Sequence, residues 1–171
     1  MDWNTVVESR YSVRLYKEQP VEEEKLRKVL ETGNKAPTAK NVQPHRIYVL
    51  KSEEALARIR SLTRCAFNAP VVLLVTANGN EEWHCVFDEG VVSGEEDAAI
   101  VSTYMMLEAA AQGLGTCWVN YFPHEEVKKA FGLPEEERPV LLMPIGYAAE
   151  GSVPSPNHTK KRPLEELVKE L

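Results

Sequence analysis

The chain has 171 residues, of which 43% are hydrophobic and 27% are charged, and its formal net charge is −6. This length predicts a single domain over residues 1–171 with a sizeable hydrophobic core. The negative charge argues against general binding to nucleic acid or anionic membranes, and no apolar run is long enough for a membrane span. Three widely spaced cysteines and an N-terminus without a signal-peptide pattern predict a cytoplasmic protein with neither a disulfide framework nor a zinc site.

Apolar spacing and turn residues predict five elements before residue 77. Leu26, Val29 and Leu30 stand at helical spacing, and Gly33 is placed to end their helix. The run from 69 to 76 is rich in valine and too short for a free-standing helix, so it predicts a strand covered on both faces. The predicted elements are helices at 2–9, 21–32 and from Ser52 to Leu62, and strands at 45–50 and 69–76.

The middle of the chain combines a polar loop with a long apolar helix. Residues 77–93 form a loop with aromatic side chains, which is either a lid over a pocket or an ordinary packed connection. Ser93 and Glu96 match a capping box at the start of the next helix. That helix, at 94–112, is apolar nearly all round, which predicts burial in the core or at a subunit interface.

The C-terminal third predicts four further elements and an extended polar stretch at 150–162. Pro139 and Pro144 have no N–H to donate, so the strand that contains them is expected at an edge or with a bulge. Because helices and strands alternate with irregular crossovers, the sequence favours an α+β fold with a mixed sheet. The predicted elements are strands at 116–122 and 138–147 and helices at 123–131 and 163–171.

Two basic clusters stand out against the acidic composition. Arg10, Ser12 and Arg14 are two residues apart, so an extended chain would point all three the same way. Together they offer two guanidinium forks and a hydroxyl to one anionic ligand. The second cluster, residues 160–162, lies near the C-terminus. The alternative is that both clusters are solvated surface charges.

A second polar segment, residues 36–45, contains two prolines that make it stiff and non-helical. Stiff polar loops on a rigid scaffold often hold ligands, although a plain connection would show the same composition. The polar side chains between the two prolines include Thr38, Asn41 and Gln43.

Several common functional motifs are missing from the sequence. Gly113 and Gly115 do not form a dinucleotide fingerprint, because they follow a helix and a third glycine is lacking. No phosphate-loop motif or nucleophile elbow occurs, and the four histidines are scattered. His84 beside Cys85 has no second pair of ligands nearby, so no metal is predicted.

Four motifs occur in order along the chain. They are Arg-x-Ser-x-Arg at 10–14, Ala-Pro-Thr-x-x-Asn-x-Gln-Pro at 36–44, Gly-Leu-Gly-Thr-Cys-Trp at 113–118 and Lys-Lys-Arg-Pro-Leu-Glu-Glu at 160–166. In this order and spacing the chain resembles a small member of the flavin-dependent nitroreductase family, from about residue 3 to residue 168. The resemblance implies an α+β homodimer with a mixed, mainly antiparallel sheet flanked by helices, and two FMN molecules at the dimer interface.

The resemblance assigns the FMN phosphate to both basic clusters. The matching residues are Arg10, Ser12, Lys160 and Arg162, with Tyr11 in the same binding segment. A phosphate carries nearly two negative charges and suits paired guanidinium groups. The family's phosphate site would therefore explain why basic residues gather near both ends of an acidic chain.

The resemblance assigns other residues to the flavin ring. Arg14 matches a basic position beside the pyrimidine edge, where a cation stabilises the anionic reduced flavin. Asn68 matches a polar residue that hydrogen-bonds the ring. The loop that reaches the cofactor from the partner subunit is matched by Pro37, Thr38, Asn41 and Gln43.

The strand beside the isoalloxazine is matched by Trp118, Val119 and Asn120, and the backbone N–H of Asn120 matches the donor at flavin N5. Two residues depart from the family pattern. His45 stands where many relatives have tryptophan, and Asn120 stands near a common glycine. The backbone donor survives a change to Asn, but this side chain is expected to crowd the flavin face and narrow the substrate range.

The resemblance implies an enzyme in which NAD(P)H delivers hydride to flavin N5 and is replaced by a small acceptor such as a nitroaromatic or quinone. The cofactor carries the redox chemistry, so no side chain is expected to be an indispensable catalytic acid. Two alternatives remain. One is a flavin- or nucleotide-binding regulatory module without turnover, and the other is a family offshoot that dehalogenates a substrate or degrades flavin. An offshoot would need a lid, for which residues 77–93 are available.

Overall fold

The structure is a computed structural model that describes residues 2–171. Within these residues it contains six α-helices and four β-strands, and none of the helices is long and apolar enough to cross a membrane. Two 3-10 turns, Ala39–Asn41 and Arg64–Ala66, lie in the connections. The elements are α1 (Trp3–Ser9), α2 (Glu23–Gly33), β1 (His45–Leu50), α3 (Glu53–Leu62), β2 (Val71–Asn78), α4 (Gly94–Ala111), β3 (Gly115–Thr116), α5 (His124–Phe131), β4 (Glu137–Gly146) and α6 (Leu164–Leu167).

The four strands form one antiparallel sheet in the order β1-β2-β4-β3. A parallel bridge between Ser12 and Thr116 adds an N-terminal stretch of chain to the β3 edge. The sheet is therefore mixed but mainly antiparallel, and helices lie on both of its faces. This architecture confirms the predicted α+β fold class.

Strand β2 is buried along its whole length, as its continuous apolar run predicts. Successive side chains of a strand point to opposite faces. Val72 and Leu74 accordingly pack with α3 and α5, whereas Leu73 and Val75 pack with α2 and α4. Each fully buried side chain of this kind contributes roughly 1.5–3 kcal/mol, so the sheet is a firm support for the segments at its edges.

Strand β4 lies between β2 and β3, so the predicted edge position is wrong and the predicted bulge is right. Val75 pairs with Leu141, whereas Thr76 pairs with Pro139, which leaves one extra residue on β4. The irregularity accommodates Pro139, which has no N–H to donate to a ladder.

Helix α4 packs against α2 and against one face of the sheet. Gly33 permits this close approach, because an added Cβ would lie 2.6 Å from Met105 Cγ. On its other side, Ile100 and Tyr104 are each 39% exposed. Within one chain α4 is thus covered on one side only, and the predicted subunit interface remains the candidate cover for the other side.

The predicted capping box at the start of α4 is wrong. Ser93 has nearly helical backbone angles, and its hydroxyl caps no backbone N–H of α4. That hydroxyl donates instead to Asp97 Oδ2 at 2.7 Å. The N–H of Gly94 donates to Glu82 Oε2 at 3.0 Å, while Glu96 is exposed. A carboxylate from the preceding loop therefore replaces the local cap.

Two predicted elements are shorter in the structure. The strand expected at 116–122 is reduced to β3, because the chain leaves the ladder after Thr116 and rejoins it only at an isolated Val119–Leu142 bridge. The helix expected at 163–171 is reduced to α6, and residues 159–171 are exposed throughout.

Candidate functional site

Residues 10–16, called segment 10–16 below, run in an extended conformation beside β3, which is the condition under which Arg10, Ser12 and Arg14 share one side. The N–H of Val13 donates to the Thr116 carbonyl at 2.9 Å, and the Val13 side chain is buried. The alternation of an extended chain places every second residue on the side opposite Val13. The side chains on that side are Arg10, Ser12 and Arg14.

The C-terminal residues pass beside Tyr11. Its hydroxyl lies 3.2 Å from both the carbonyl and the hydroxyl oxygen of Ser152, and its ring meets the His158 ring edge to face, 6.5 Å between centroids. Lys160 and Arg162 follow His158 by two and four residues and are exposed. The fold therefore brings the second basic cluster to the same end of the molecule as segment 10–16.

The cations of both clusters have no acidic partner within residues 2–171. None of the ion pairs there includes Arg10, Arg14, Lys160 or Arg162. Of the fifteen other lysines and arginines, six pair with glutamates and nine form no ion pair either in this part of the chain. What distinguishes the two clusters is that the fold gathers their five cations at one end of the molecule, where together they offer many donors to a single external anion.

Cys117 follows β3 directly and lies close to Arg10, Ser12 and Arg14. Burial raises the pKa of its thiol, while the Arg14 guanidinium, a hydrogen bond with Ser12 and the Arg10 guanidinium oppose the rise. A neutral thiol does not neutralise the neighbouring guanidiniums. Their positive charge therefore stays available to a bound anion.

The residues directly after Cys117 differ in how deeply they are buried. Val119 is buried and exchanges backbone hydrogen bonds of 2.9 Å with Leu142 of β4. Trp118 is half-buried and packs with the α4 side of the core, while Asn120 is exposed. The predicted neighbours of a planar cofactor thus lie just outside the regular ladder, where an exposed surface is available.

Asn68 lies in a tight turn that contacts this stretch. Phe67 and Asn68 both have left-handed backbone angles, with φ of 50° and 53°. Earlier in the same turn, the Thr63 hydroxyl donates to the Tyr121 carbonyl at 3.4 Å. A cavity of about 430 Å³ opens between the two segments, and its lining includes Asn120.

Residues 36–43, called loop 36–43 below, have an unusual backbone. Lys40, Asn41 and Gln43 have φ of 48°, 56° and 53°, in the region that favours glycine. The Thr38 hydroxyl accepts the Gln43 N–H at 3.2 Å, and the Ala39 N–H donates to Asp97 Oδ1 at 2.8 Å. The loop is therefore stiff and non-helical, as predicted, apart from its single 3-10 turn.

Loop 36–43 and segment 10–16 lie at opposite ends of α4. The loop is bonded to Asp97 in the first turn, whereas a cavity at the other end is lined by Arg10 together with Ala110 and Gly113. At 1.5 Å per residue, the 18 residues of α4 separate the two ends by about 27 Å. No hydrogen bond or ion pair of residues 2–171 joins the two segments. One chain therefore keeps the predicted site residues in two separate groups.

Asp97 and Glu82 are functional candidates that motif reasoning missed. Asp97 is 2% exposed, although it carries a carboxylate. The available signal was its spacing, since Asp97, Val101 and Met105 stand four residues apart on the buried stripe of α4. Glu82 gave no local signal, because its partner Arg138 is 56 residues away.

No group of three or more His, Cys, Asp or Glu residues in the described part of the chain is placed to hold a metal ion. The residues gathered around segment 10–16 are instead basic groups and hydroxyls. Such donors suit a phosphate.

Three comparisons place the chain among known proteins. The family model described as the nitroreductase family matches residues 7–68 and 63–147. An NADH dehydrogenase of Thermus thermophilus is 32% identical over 98% of this chain and 95% of its own. A nitroreductase family protein of Clostridium difficile has a crystal structure with a TM-score of 0.91 at 32% identity, covering 99% of this chain and 98% of that one. A protein of Exiguobacterium sibiricum described as a nitroreductase, solved in complex with FMN, has a TM-score of 0.84 at 23% identity, covering 100% and 98%.

Proposed function

Because the chain belongs to the nitroreductase family, we propose that it is an FMN-dependent oxidoreductase. It would pass hydride from NAD(P)H through the flavin to a nitroaromatic, a quinone or a similar small acceptor. The observation that supports this most is the gathering of cations from both ends of the chain at segment 10–16, which suits a flavin phosphate. The relatives are named as NADH dehydrogenases and NAD(P)H nitroreductases, in keeping with such a reaction.

The residues present fit the phosphate end of FMN. Arg10, Ser12, Lys160 and Arg162 would hold it, since two guanidiniums, an ammonium and a hydroxyl match a dianion. Tyr11 would fix the distance between the two basic clusters, because its hydroxyl and ring contact the C-terminal residues. The clusters would then close around the phosphate from two sides.

The residues at the flavin ring would supply position and charge. Arg14 would favour negative charge at the pyrimidine edge, and Asn68 would hydrogen-bond the ring. Trp118 and Val119 would support the ring, and the Asn120 backbone N–H would donate to N5. The chemistry that bound FMN supplies is acceptance of hydride from a nicotinamide and its delivery to the acceptor. We assign no side chain as a catalytic acid or base.

We also propose that the active form is a homodimer. Two α4 helices packed antiparallel across a twofold axis would bring the first turn of one beside the last turn of the other. Loop 36–43 of one chain would then meet segment 10–16 of the partner chain. Pro37, Thr38, Asn41 and Gln43 would thereby reach the partner's flavin, joining the two groups that one chain keeps apart.

The open side of α4 offers a face for this dimer. Ile100, Tyr104, Leu107 and Ala111 stand at helical spacing on one stripe. The last three line a groove of about 450 Å³ that also includes the exposed Trp3. Light scattering of the FMN-bound protein should give twice the chain mass of 19.3 kDa. A monomer that still holds FMN would contradict this arrangement.

The first experiment is an absorption spectrum of the purified protein, followed by anaerobic addition of NADH or NADPH. Flavin bands that either nucleotide bleaches would support the cofactor and the first half of the reaction, and would identify the donor. Flavin that neither nucleotide bleaches over hours would favour a binding module without turnover. A colourless protein that does not take up added FMN would refute the proposal.

The phosphate assignment has its own test. Replacing Arg10 by alanine should weaken FMN binding about 10- to 150-fold, the range for losing a hydrogen bond to a charged group. A matched control is Arg27→Ala, which removes an exposed arginine paired with Glu31 on α2. An Arg10→Ala variant that retains full FMN and the wild-type reductase rate would show that the assignment is wrong.

A further inference from the structure

Loop 36–43 has a conformation that its own sequence does not favour. Lys40, Asn41 and Gln43 occupy the left-handed region, where a side chain crowds the backbone. Asn tolerates this region better than most residues, but Lys and Gln do not. Contacts outside the backbone of the loop must therefore hold it in place.

Asp97 supplies the firmest of these contacts. Its Oδ1 accepts the Ala39 N–H at 2.8 Å, and its Oδ2 accepts the Ser93 hydroxyl at 2.7 Å. The carboxylate is almost completely buried and forms no ion pair with any residue from 2 to 171. It lies in the first turn of α4, where the helix dipole favours a negative charge. A buried carboxylate with both oxygens used in this way is a rigid anchor.

The anchor continues beyond Asp97 into the loop at 79–92. Ser93 Oγ also accepts the N–H of Trp83 at 3.1 Å. The neighbouring Glu82 binds the Gly94 N–H and forms an ion pair with Arg138 of β4. The position of Asp97 is therefore fixed relative to the sheet through this second loop. Its hydrogen bond in turn fixes the position of the Ala39 N–H.

We propose that Asp97 is a positioning residue for the flavin site. It holds the Ala39 N–H so that Thr38 and Asn41 are presented to the partner's cofactor in one fixed conformation. The residue touches no cofactor itself and acts only through the backbone of loop 36–43. This inference rests on the proposed FMN function and on the proposed dimer.

The variants Asp97→Asn and Asp97→Ala distinguish the role of the hydrogen bonds of Asp97 from the role of its negative charge. Asp97→Asn keeps a carbonyl oxygen for the Ala39 N–H, and its amide group can donate to Ser93 Oγ. Asp97→Ala removes both acceptors and leaves the half-buried Ala39 N–H without its protein partner. We expect Asp97→Ala to weaken FMN binding about tenfold, and Asp97→Asn to restore it to within about threefold of wild type.

Ala39→Pro tests the same hydrogen bond from its donor. Thr38 already has extended backbone angles, φ −131° and ψ 160°, which suit a residue before proline. The substitution removes the N–H while leaving Asp97 in place, so it remains informative if Asp97→Ala does not fold. We expect a loss of FMN affinity similar to that of Asp97→Ala.

A matched control lies on the same helix. Ser102 is fully buried, and its hydroxyl has no hydrogen-bond partner among the described residues. Ser102→Ala therefore removes a buried polar group from α4 without touching loop 36–43. We expect this variant to bind FMN as wild type does.

The measurements are titration of apoprotein with FMN, the visible flavin spectrum and KM for NADH or NADPH. Asp97→Ala and Ala39→Pro should shift the FMN titration and the flavin spectrum while leaving KM within about twofold. Wild-type FMN affinity in both variants would overturn the inference, as would equal losses in Asp97→Asn and Asp97→Ala. Failure of the wild-type protein to bind FMN would instead overturn the proposed function.

Discussion

Segment 10–16 and loop 36–43, the two segments proposed to meet at the flavin, are held in place by different kinds of hydrogen bond. Segment 10–16 is held mainly by backbone pairing: Val13 donates to Thr116, Ala149 donates to Leu15, and Lys17, directly after the segment, donates to Tyr147, all at 2.9–3.0 Å. The hydroxyls of Tyr11 and Tyr16 add bonds to Ser152 and Pro144. Loop 36–43 is held by side chains, those of Asp97 and Thr38, and three of its residues have left-handed backbone angles.

This difference predicts different sensitivities to mutation. Backbone pairing uses the N–H and C=O groups of the main chain, which every residue except proline carries in full. It therefore tolerates side-chain changes but requires the two paired backbone segments to approach closely. Side-chain anchoring tolerates looser packing but fails when one polar atom is lost. Segment 10–16 should therefore be most vulnerable at the glycine that permits its approach, and loop 36–43 at its hydrogen-bonding side chains.

The largest effect is expected at Gly115 of β3. A Cβ at this position would lie 2.5 Å from Val13 Cγ2 and 2.9 Å from Val13 Cβ. Gly115→Ala should therefore push segment 10–16 away from the sheet, lower the free energy of unfolding by about 1–3 kcal/mol and weaken FMN binding. Urea denaturation of the apoprotein and FMN titration measure the two effects.

The control for this substitution is Gly79→Ala. The nearest atoms to an added Cβ there are 3.5 Å away, an ordinary contact. We expect Gly79→Ala to change the free energy of unfolding by about 0.5 kcal/mol or less. Equal effects at Gly115 and Gly79 would mean that the approach of segment 10–16 is not limited by β3.

A smaller effect is expected at Thr38 in loop 36–43. Thr38→Val keeps the shape of the side chain but removes the acceptor of the Gln43 N–H, at a cost of about 1 kcal/mol or a fivefold loss of FMN affinity. Thr38→Ser retains the hydroxyl and should stay within about twofold of wild type. Isothermal titration of apoprotein with FMN measures both variants, and equal affinities for them would rule out this hydrogen bond as a determinant.

The elements of the fold could be predicted because their signals are local. Leu26, Val29 and Leu30 mark α2 at helical spacing, and the apolar run over 69–76 marks the fully buried β2. The cap of α4 could not be found in this way. Ser93 and Glu96 satisfy the capping-box pattern. In the structure, however, the Glu82 carboxylate accepts the N–H of Gly94 at the start of α4, because the tertiary fold places it there.

The candidate site shows the same limit. The side chains of segment 10–16 could be placed on one face from their spacing alone, because an extended chain has a fixed period. The position of loop 36–43, about 27 Å away along α4, depends on the whole chain and cannot be obtained from spacing. Asp97 joins the loop to the helix across 58 residues, so no short motif contains the pair.

A stabilising change is expected at Lys40, the left-handed residue of loop 36–43 that is not proposed to contact the flavin. Lys40→Gly should relieve the crowding at φ 48°, raising the free energy of unfolding by about 0.5–1 kcal/mol and the melting temperature by about 1–4 °C. The control is Lys35→Gly, which removes the same charge where φ is not left-handed and should lower the melting temperature. A lower melting temperature for Lys40→Gly would show that the loop is not strained there.

The smallest effect concerns His45, which follows loop 36–43 at the start of β1. Its Nδ1 is buried without a hydrogen-bond partner in the described part of the chain. Burial, and then the Arg46 guanidinium, lower the pKa of His45, while Asp97 partly opposes the shift. The unfolded chain therefore takes up the proton more readily, at a pKa near 6.5.

The contribution of His45 to stability is consequently complete above about pH 6.5 and is lost as the pH falls through its lowered pKa. His45→Phe removes this proton uptake, so its melting temperature should fall less than that of wild type between pH 7.5 and pH 5.5. Differential scanning calorimetry of both apoproteins at the two pH values measures the difference. An identical fall would mean that His45 keeps its proton equilibrium on folding, and that burial at the end of loop 36–43 does not disfavour its charged form.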